Sequence, residues 1–336
     1  MNVPFLLAPM AELSHRALRE LIESFGGCDG YFSEMISSGS LLAGGPFEKW
    51  YVDTGPKPEK LVFQVVGSDS EQISKAAAFL DRLYCAGIDI NMGCSAPIIR
   101  KTGAGAAWMA DIDRAGELIS RVRPVVSRRL SVKLRIGYRD DFEYLVRFCR
   151  RLEAEGTELI TLHPRTVMEK FKRLARWEYV GALRQELKIP VAGNGDIACA
   201  EELVNRAAGP CDAVMVGRAA VRQPWIFAQA RALSPKLSSV PDGEALSSNI
   251  SSVPDGAALS PNVSSVSNLE ETGLYFLELL SRYQPPEFHI SRAMRFFGFF
   301  CDNIKFGNYL KNQLNREKTL SGIEQVWRRY FNENEA

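Results

Sequence analysis

Eight short apolar or β-branched runs recur between residues 5 and 218, and each closes on polar residues or glycine. They read FLLAPM (5–10), GYFSEM (30–35), LVFQVVG (61–67), GIDINMG (87–93), LSVKLRIG (130–137), ELITLHPR (158–165), IPVAGNGD (189–196) and DAVMVGR (212–218). Amphipathic stretches with helical spacing, such as SHRALRELIESF and YLVRFCRRLEAEG, separate most of them. Apolar runs of this length alternating with helices imply buried parallel strands joined by βα units. Eight units in this span predict a (β/α)8 barrel, an α/β fold whose usual size is about 250 residues. A doubly wound open sheet is the alternative, but no GxGxxG follows the first run.

The barrel reading has a consequence for chemistry. Side chains at the C-terminal ends of barrel strands form the active site. The unusual polar residues fall at those ends: Met10, Glu34, Gln64, Asn91, Lys133 with Arg135, His163 with Arg165, Asn194 with Asp196, and Arg218. Packing alone does not place such residues at the end of every strand.

Composition narrows the class. A hydrophobic share of 46% and a charged share of 24% are ordinary for a globular protein, and a formal net charge of +1 gives no bulk attraction for polyanions. A nucleic-acid partner therefore requires a local basic face. The first twenty residues lack a basic n-region, and no apolar run approaches the roughly 18 residues of a membrane span. Seven cysteines without a CxxC pair argue against a disulfide framework or structural zinc, and for a reducing cytoplasm.

Residues 1–233 read as the barrel domain, 234–268 as a low-complexity insert, and 269–336 as a helical domain. The insert holds a tandem repeat, SSVPDGEALSSNI (238–250) and SSVPDGAALSPNV (251–263), too polar to bury a core. The tail reads as helices over LEETGLYFLELLSRYQ, over HISRAMRFFGFFCDNIKFGNYLKNQLN, and over LSGIEQVWRRYF. Between 285 and 329 it carries eight Lys/Arg against four Asp/Glu, with Phe296, Phe297, Phe299, Phe300, Phe306 and Tyr309 interleaved. Most of those aromatics suit a core, while the basic excess suits an RNA backbone.

Loops after strands seven and eight of a barrel are where phosphates bind, on free backbone N–H groups. Gly195, Gly217 and Arg218 fit that use. Lys133 at a barrel mouth needs a partner, and a flavin supplies one, since a cation beside its N1–C2=O edge stabilises the reduced anion. Gln64 is placed to hydrogen-bond the polar edge of the same ring.

The set LAPM (7–10), FSEM (32–35), FQVVG (63–67), INMGC (90–94) with GAGAA (103–107), VKLRIG (132–137), LHPRT (162–166), NGD (194–196) and GRAAVRQPWIF (217–227) resembles the tRNA-dihydrouridine synthases in order and spacing. The resemblance implies an FMN-bound TIM barrel that reduces the C5=C6 bond of particular uridines in tRNA with NADPH (or NADH), without metal, membrane or obligate protein partner. It places FMN contacts at Ala8, Pro9, Met10, Gln64, Lys133, His163, Asn194, Gly195, Asp196, Gly217 and Arg218. It places the proton donor at Cys94, the target base near Asn91, Arg135 and Arg165, and tRNA binding in the helical tail. An ordinary thiol, pKa about 8.5, is mostly protonated at pH 7 and can serve as an acid. A flavin oxidoreductase of free pyrimidines and an inactive RNA-binding protein are the competing readings. The basic tail speaks against the first, and the retained Cys94, Lys133 and NGD against the second.

Overall fold

A computed structural model describes residues 3–237 and 266–334; the tandem repeat lies outside the described residues. Among the described residues there are eight strands: β1 (Phe5–Leu7), β2 (Gly30–Ser37), β3 (Leu61–Val66), β4 (Gly87–Met92), β5 (Arg129–Arg135), β6 (Leu159–His163), β7 (Val191–Asn194) and β8 (Ala213–Val216). All neighbours pair in parallel, and β8 returns to β1, so the sheet closes into a barrel in chain order. The expected (β/α)8 barrel is what the chain forms.

Local chemistry starts the intervening helices. Asp69, Asp111 and Asp141 sit at the N-caps of helices Ser70–Asp81, Ile112–Val122 and Phe142–Ala154, each side chain accepting from backbone amides of the first turn. Such caps contribute about 1 kcal/mol each. The amphipathic helices bury their apolar faces against the outside of the sheet in one continuous core. The barrel interior holds a much smaller apolar cluster, including Leu6, Phe32, Val62, Leu159, Ala192 and Met215. Strand periodicity of two then turns the remaining inward positions toward the C-terminal mouth.

Past the barrel, helix Ile226–Leu237 runs on through residue 234, and the first tail helix begins at Val266. The expected insert is thus helical at both of its edges. The long second segment of the tail is two helices, Pro286–Phe300 and Gly307–Leu314, with a short 3-10 turn at Cys301–Asn303 and a break at Phe306. Helix Leu320–Asn334 closes the bundle. Phe296, Phe297 and Phe300 are buried with Phe276 and Trp327, the Phe276 and Phe296 rings stacked at 3.7 Å. Phe306 and Tyr309, by contrast, are exposed.

The tail packs on the barrel helices Arg16–Ser24 and Arg218–Arg222. A buried ion pair pins the seam: Arg292 NH1 lies 2.8 Å from Glu34 Oε2, with both side chains at most 3% exposed. The other Glu34 oxygen accepts the Glu12 amide at 2.6 Å, and Arg295 holds the Glu12 carboxylate at 2.7 Å. Two of the tail's basic residues are therefore paired with barrel carboxylates, Arg292 in a buried pair and Arg295 in an exposed one.

Candidate active site

A cavity of about 470 Å³ opens at the C-terminal mouth of the barrel, within the usual range for a small-molecule site. Ala8, Pro9, Met10, Asn91, Cys94, Lys133, Arg135, His163, Arg165, Asn194, Gly195, Asp196, Gly217 and Arg218 all line it. Gln64 does not. Its Nε2 donates to Asp89 Oδ2 at 2.7 Å and its Oε1 accepts from Asn91 Nδ2 at 2.8 Å, so its amide is engaged beneath the lining.

Asn91 is the brace of the Cys94 loop. Its Oδ1 accepts the amides of Gly93 at 3.2 Å and Cys94 at 2.9 Å, leaving the thiol half-buried on the cavity wall. The Cys94 carbonyl accepts the Ala106 amide at 3.0 Å. Gly105 stands so close behind, at positive φ, that a Cβ there would meet that carbonyl at 2.8 Å. A side chain at 105 would displace the thiol loop.

Lys133 projects from β5 across the barrel, and its Nζ donates to Asn194 Oδ1 at 3.0 Å. Asn194 Nδ2 in turn donates to the Met215 carbonyl. Burial first, then neighbouring Arg135, pushes the Lys133 ammonium down to about 8, with Asp89 and Cys94 opposing. Asp89, fully buried and bonded to Ser131 and Gln64, is pushed up to about 6 by the same desolvation.

Arg135 ties three segments together, donating to the carbonyls of Gly93, Thr166 and Lys170. Arg165 grips both Asp196 oxygens at 2.6 and 2.7 Å, and its NH1 meets His163 Nε2 at 2.9 Å. A guanidinium only donates, so Nε2 accepts and the ring proton sits on Nδ1. Burial and the surrounding cations hold His163 well below its ordinary value, which keeps it neutral. Five cations line the cavity (Lys133, Arg135, Arg165, Lys170 and Arg218) against the single carboxylate of Asp196.

Asp89, beneath the lining, and Lys170 and Phe171, on it, are absent from the sequence expectations. Asp89 was visible in principle, an acid two positions before Asn91 in an apolar run and therefore on the same strand face. Lys170 and Phe171 come from the loop after β6, where no periodicity or motif marks them. The Phe171 ring covers the Arg218 guanidinium at 4.7 Å and stands 5.9 Å from the His163 ring.

Comparison with known proteins identifies the family. The family profile described as dihydrouridine synthase (Dus) matches residues 6–248. The chain belongs to the dihydrouridine synthase family. A tRNA-dihydrouridine(16) synthase of Ralstonia nicotianae is 31% identical over 67% of this chain and 72% of its own length. A probable tRNA-dihydrouridine synthase of Rhodobacter capsulatus is 33% identical over 71% of this chain and 76% of its own. A tRNA-dihydrouridine(16) synthase of Cupriavidus necator is 31% identical over 68% and 73% respectively. As a dihydrouridine synthase the chain is an enzyme.

Proposed function

We propose that this enzyme reduces the C5=C6 bond of particular uridines in tRNA to dihydrouridine, with FMN as hydride carrier, NADPH as electron donor and Cys94 as proton donor. Reduction of uridine in tRNA follows from the family; the cofactors and the residue roles rest on the chemistry of the cavity. The observation that carries it is the cavity itself, a cation-rich chamber with a braced thiol on its wall.

The residues present fit a flavin mononucleotide. The amides of Gly195, Asp196, Gly217 and Arg218 make no hydrogen bond among the described residues, which leaves donors for a phosphate at the loops where barrels bind one. Lys133 and His163 reach the cavity between those loops and Cys94, and Ala8, Pro9 and Met10 supply an apolar wall. Gln64 supports this site through Asn91 rather than from its surface. When bound, reduced FMN supplies a hydride to C6 of the uracil.

The chain's own groups do the rest. Cys94 holds a proton at Sγ for delivery to C5, and Asn91 fixes the loop that aims it. Lys133, whose ammonium burial pushes down to about 8 in the ligand-free site, would supply positive charge toward the bound ring. Arg135 and Arg165 fix the loops after β4, β6 and β7 around the incoming base, which must leave its stack to enter.

The tail docks the tRNA. With Arg292 and Arg295 committed to the barrel, Lys311 to Asp302 and Arg328 to Glu324, the cations of 285–329 without a carboxylate partner among the described residues are Lys305, Arg316, Lys318 and Arg329. Among the described residues no helix is long and apolar enough to cross a membrane, and no cluster of His, Cys, Asp or Glu could hold a metal. Seven free cysteines and a tRNA substrate suit the cytoplasm.

Cys94→Ala tests the assignment. The variant should keep bound flavin and NADPH oxidation, and should lose dihydrouridine formation by about 10²- to 10⁴-fold, the usual worth of a positioned acid. Dihydrouridine measured in tRNA at the wild-type rate would remove Cys94 from the mechanism. Purified protein that neither carries nor takes up FMN would remove the cofactor.

A further inference from the structure

Four non-glycine residues among those described sit at positive φ: Glu12, Lys170, Asp196 and Phe306. Lys170 and Asp196 line the cavity, and Glu12 follows its Pro9–Met10 wall by two residues. Backbone strain of this kind is concentrated at functional sites, where surrounding structure holds it. Phe306, at φ 57°, is the exception by position, and the bulkiest of the four. It lies in the tail, and an aromatic residue is costly in the left-handed region.

Packing does not explain the conformation. The Phe306 side chain is 67% exposed, and Tyr309, one helical turn on, is 63% exposed. The one contact of the Phe306 ring with a cation is Lys305 Nζ, 5.4 Å from its centroid. The backbone around it, however, is firmly held. Asn303 Nδ2 donates to the carbonyls of Arg222 and Phe300 at 2.5 and 3.0 Å, and the Tyr330 hydroxyl donates to the Lys305 carbonyl. Gly307 passes so near Cys301 that a Cβ would lie 1.9 Å from its carbonyl oxygen. The amides of Tyr309 and Leu310 return to the Phe306 carbonyl at 2.9 and 3.3 Å. The turn is built to push two aromatic rings and a lysine into solvent. Its anchor, Arg222, ends the short helix whose first residue, Arg218, lines the cavity, so the turn is tied to the catalytic end of the barrel.

We propose that Phe306 and Tyr309 form a platform on which an unpaired nucleotide of the substrate tRNA stacks, with Lys305 beside it for the phosphate. Every base presents a π-face to an aromatic ring, and an adjacent cation answers the backbone charge. Lys305 stands beside the ring without a carboxylate partner among the described residues, and Arg329 precedes Tyr330 on the helix that holds the turn, a charge that suits a nucleic-acid backbone. The inference rests on the reading that the tail docks tRNA, and it adds where and by what contact.

The strain makes the test sharp, because stability and binding should move in opposite directions. Asparagine tolerates the left-handed region, so Phe306→Asn should raise the thermal unfolding midpoint by about 1–2 °C. The same change should weaken binding of an unmodified tRNA transcript about tenfold, the loss of one stacked base. Phe306→Trp should retain wild-type affinity, and its indole fluorescence should quench on adding tRNA. KM for tRNA should rise in Phe306→Asn with kcat unchanged. A lowered midpoint, or affinity unchanged in Phe306→Asn, overturns the platform. Arg316→Ala/Lys318→Ala separates the two levels: weaker binding there with Phe306→Asn unaffected leaves the tail as the docking domain without this platform. Wild-type binding in all variants removes the docking reading as well.

Discussion

At the barrel mouth, Lys133, Arg135, Arg165, Lys170 and Arg218 face one lining carboxylate, Asp196, and a neutral histidine. At the seam between barrel and tail, Arg292 faces Glu34 across 2.8 Å, with Arg19 nearby spending its guanidinium on the carbonyls of Ser14, Asp53 and Gly55. Both clusters are desolvated. Burial pushes Lys133 down to about 8, and at the seam it pushes Arg19 down to about 10 and Glu34 up. They differ in whether the charge is matched. A matched buried pair holds elements together and does little else, whereas an unmatched set of cations stores a demand for an anion. The seam is a fastening and the mouth a candidate binding site, and the surplus of cations at the mouth is what marks it.

The largest effect tests the seam. Removing one member of a buried pair strands the other, so Glu34→Ala should cost about 3–5 kcal/mol, measured by denaturant unfolding. The double variant Glu34→Met/Arg292→Met should recover most of that, since both charges leave together. If the double variant is as unstable as the single, the pair is not the source of the cost.

His15 adds a pH dependence to the same seam. It is buried beside Arg292 and Arg19 with neither ring nitrogen hydrogen-bonded, and burial, then those arginines, holds its pKa well below the ordinary value. An unfolded histidine takes a proton near pH 6.5 that the folded one refuses. Protonation therefore favours the unfolded chain, and stability falls as pH drops below 6.5 at about 1.4 kcal/mol per unit. His15→Phe should remove that slope and gain about 2 kcal/mol over the native chain at pH 5, read from urea midpoints across pH 5–7. Parallel pH profiles for the two proteins would refute the assignment.

At the mouth the sign reverses. Lys133→Met removes a cation that is poorly matched in the free protein, so it should raise the stability of flavin-free protein by about 1 kcal/mol while flavin affinity collapses. A destabilised variant with full flavin affinity would show the mouth to be balanced like the seam. The smallest effect is Arg295→Ala. Its pair with Glu12 is about half exposed on both sides, and the loss should stay under about 1 kcal/mol in a melting experiment.

Much of this was readable from the chain. The alternation of apolar runs with amphipathic stretches predicts the barrel because period and length of a run depend on local geometry, and its polar strand ends mark the mouth for the same reason. Cys94, Lys133, His163 and Asn194 are brought together as strand position requires. Gln64 shows the limit: its strand and face were legible, but its amide bonds to Asp89 and Asn91 depend on neighbours in β4. The tail shows another. A basic excess counted along 285–329 cannot reveal that Arg292 crosses to Glu34, 258 residues away in sequence.

What the sequence determined by itself is periodic and local: eight strands, the helices between them, their caps, and which residue types stand at strand ends. What only the tertiary structure decided is how each polar group is matched. An arginine fastens loops at the mouth and the tail at the seam, because its partner is chosen by packing between distant segments. Likewise Phe297 is core while Phe306, nine residues on, is held out in a strained turn. Burial and pairing are properties of the assembled surface, and no window along the chain contains them.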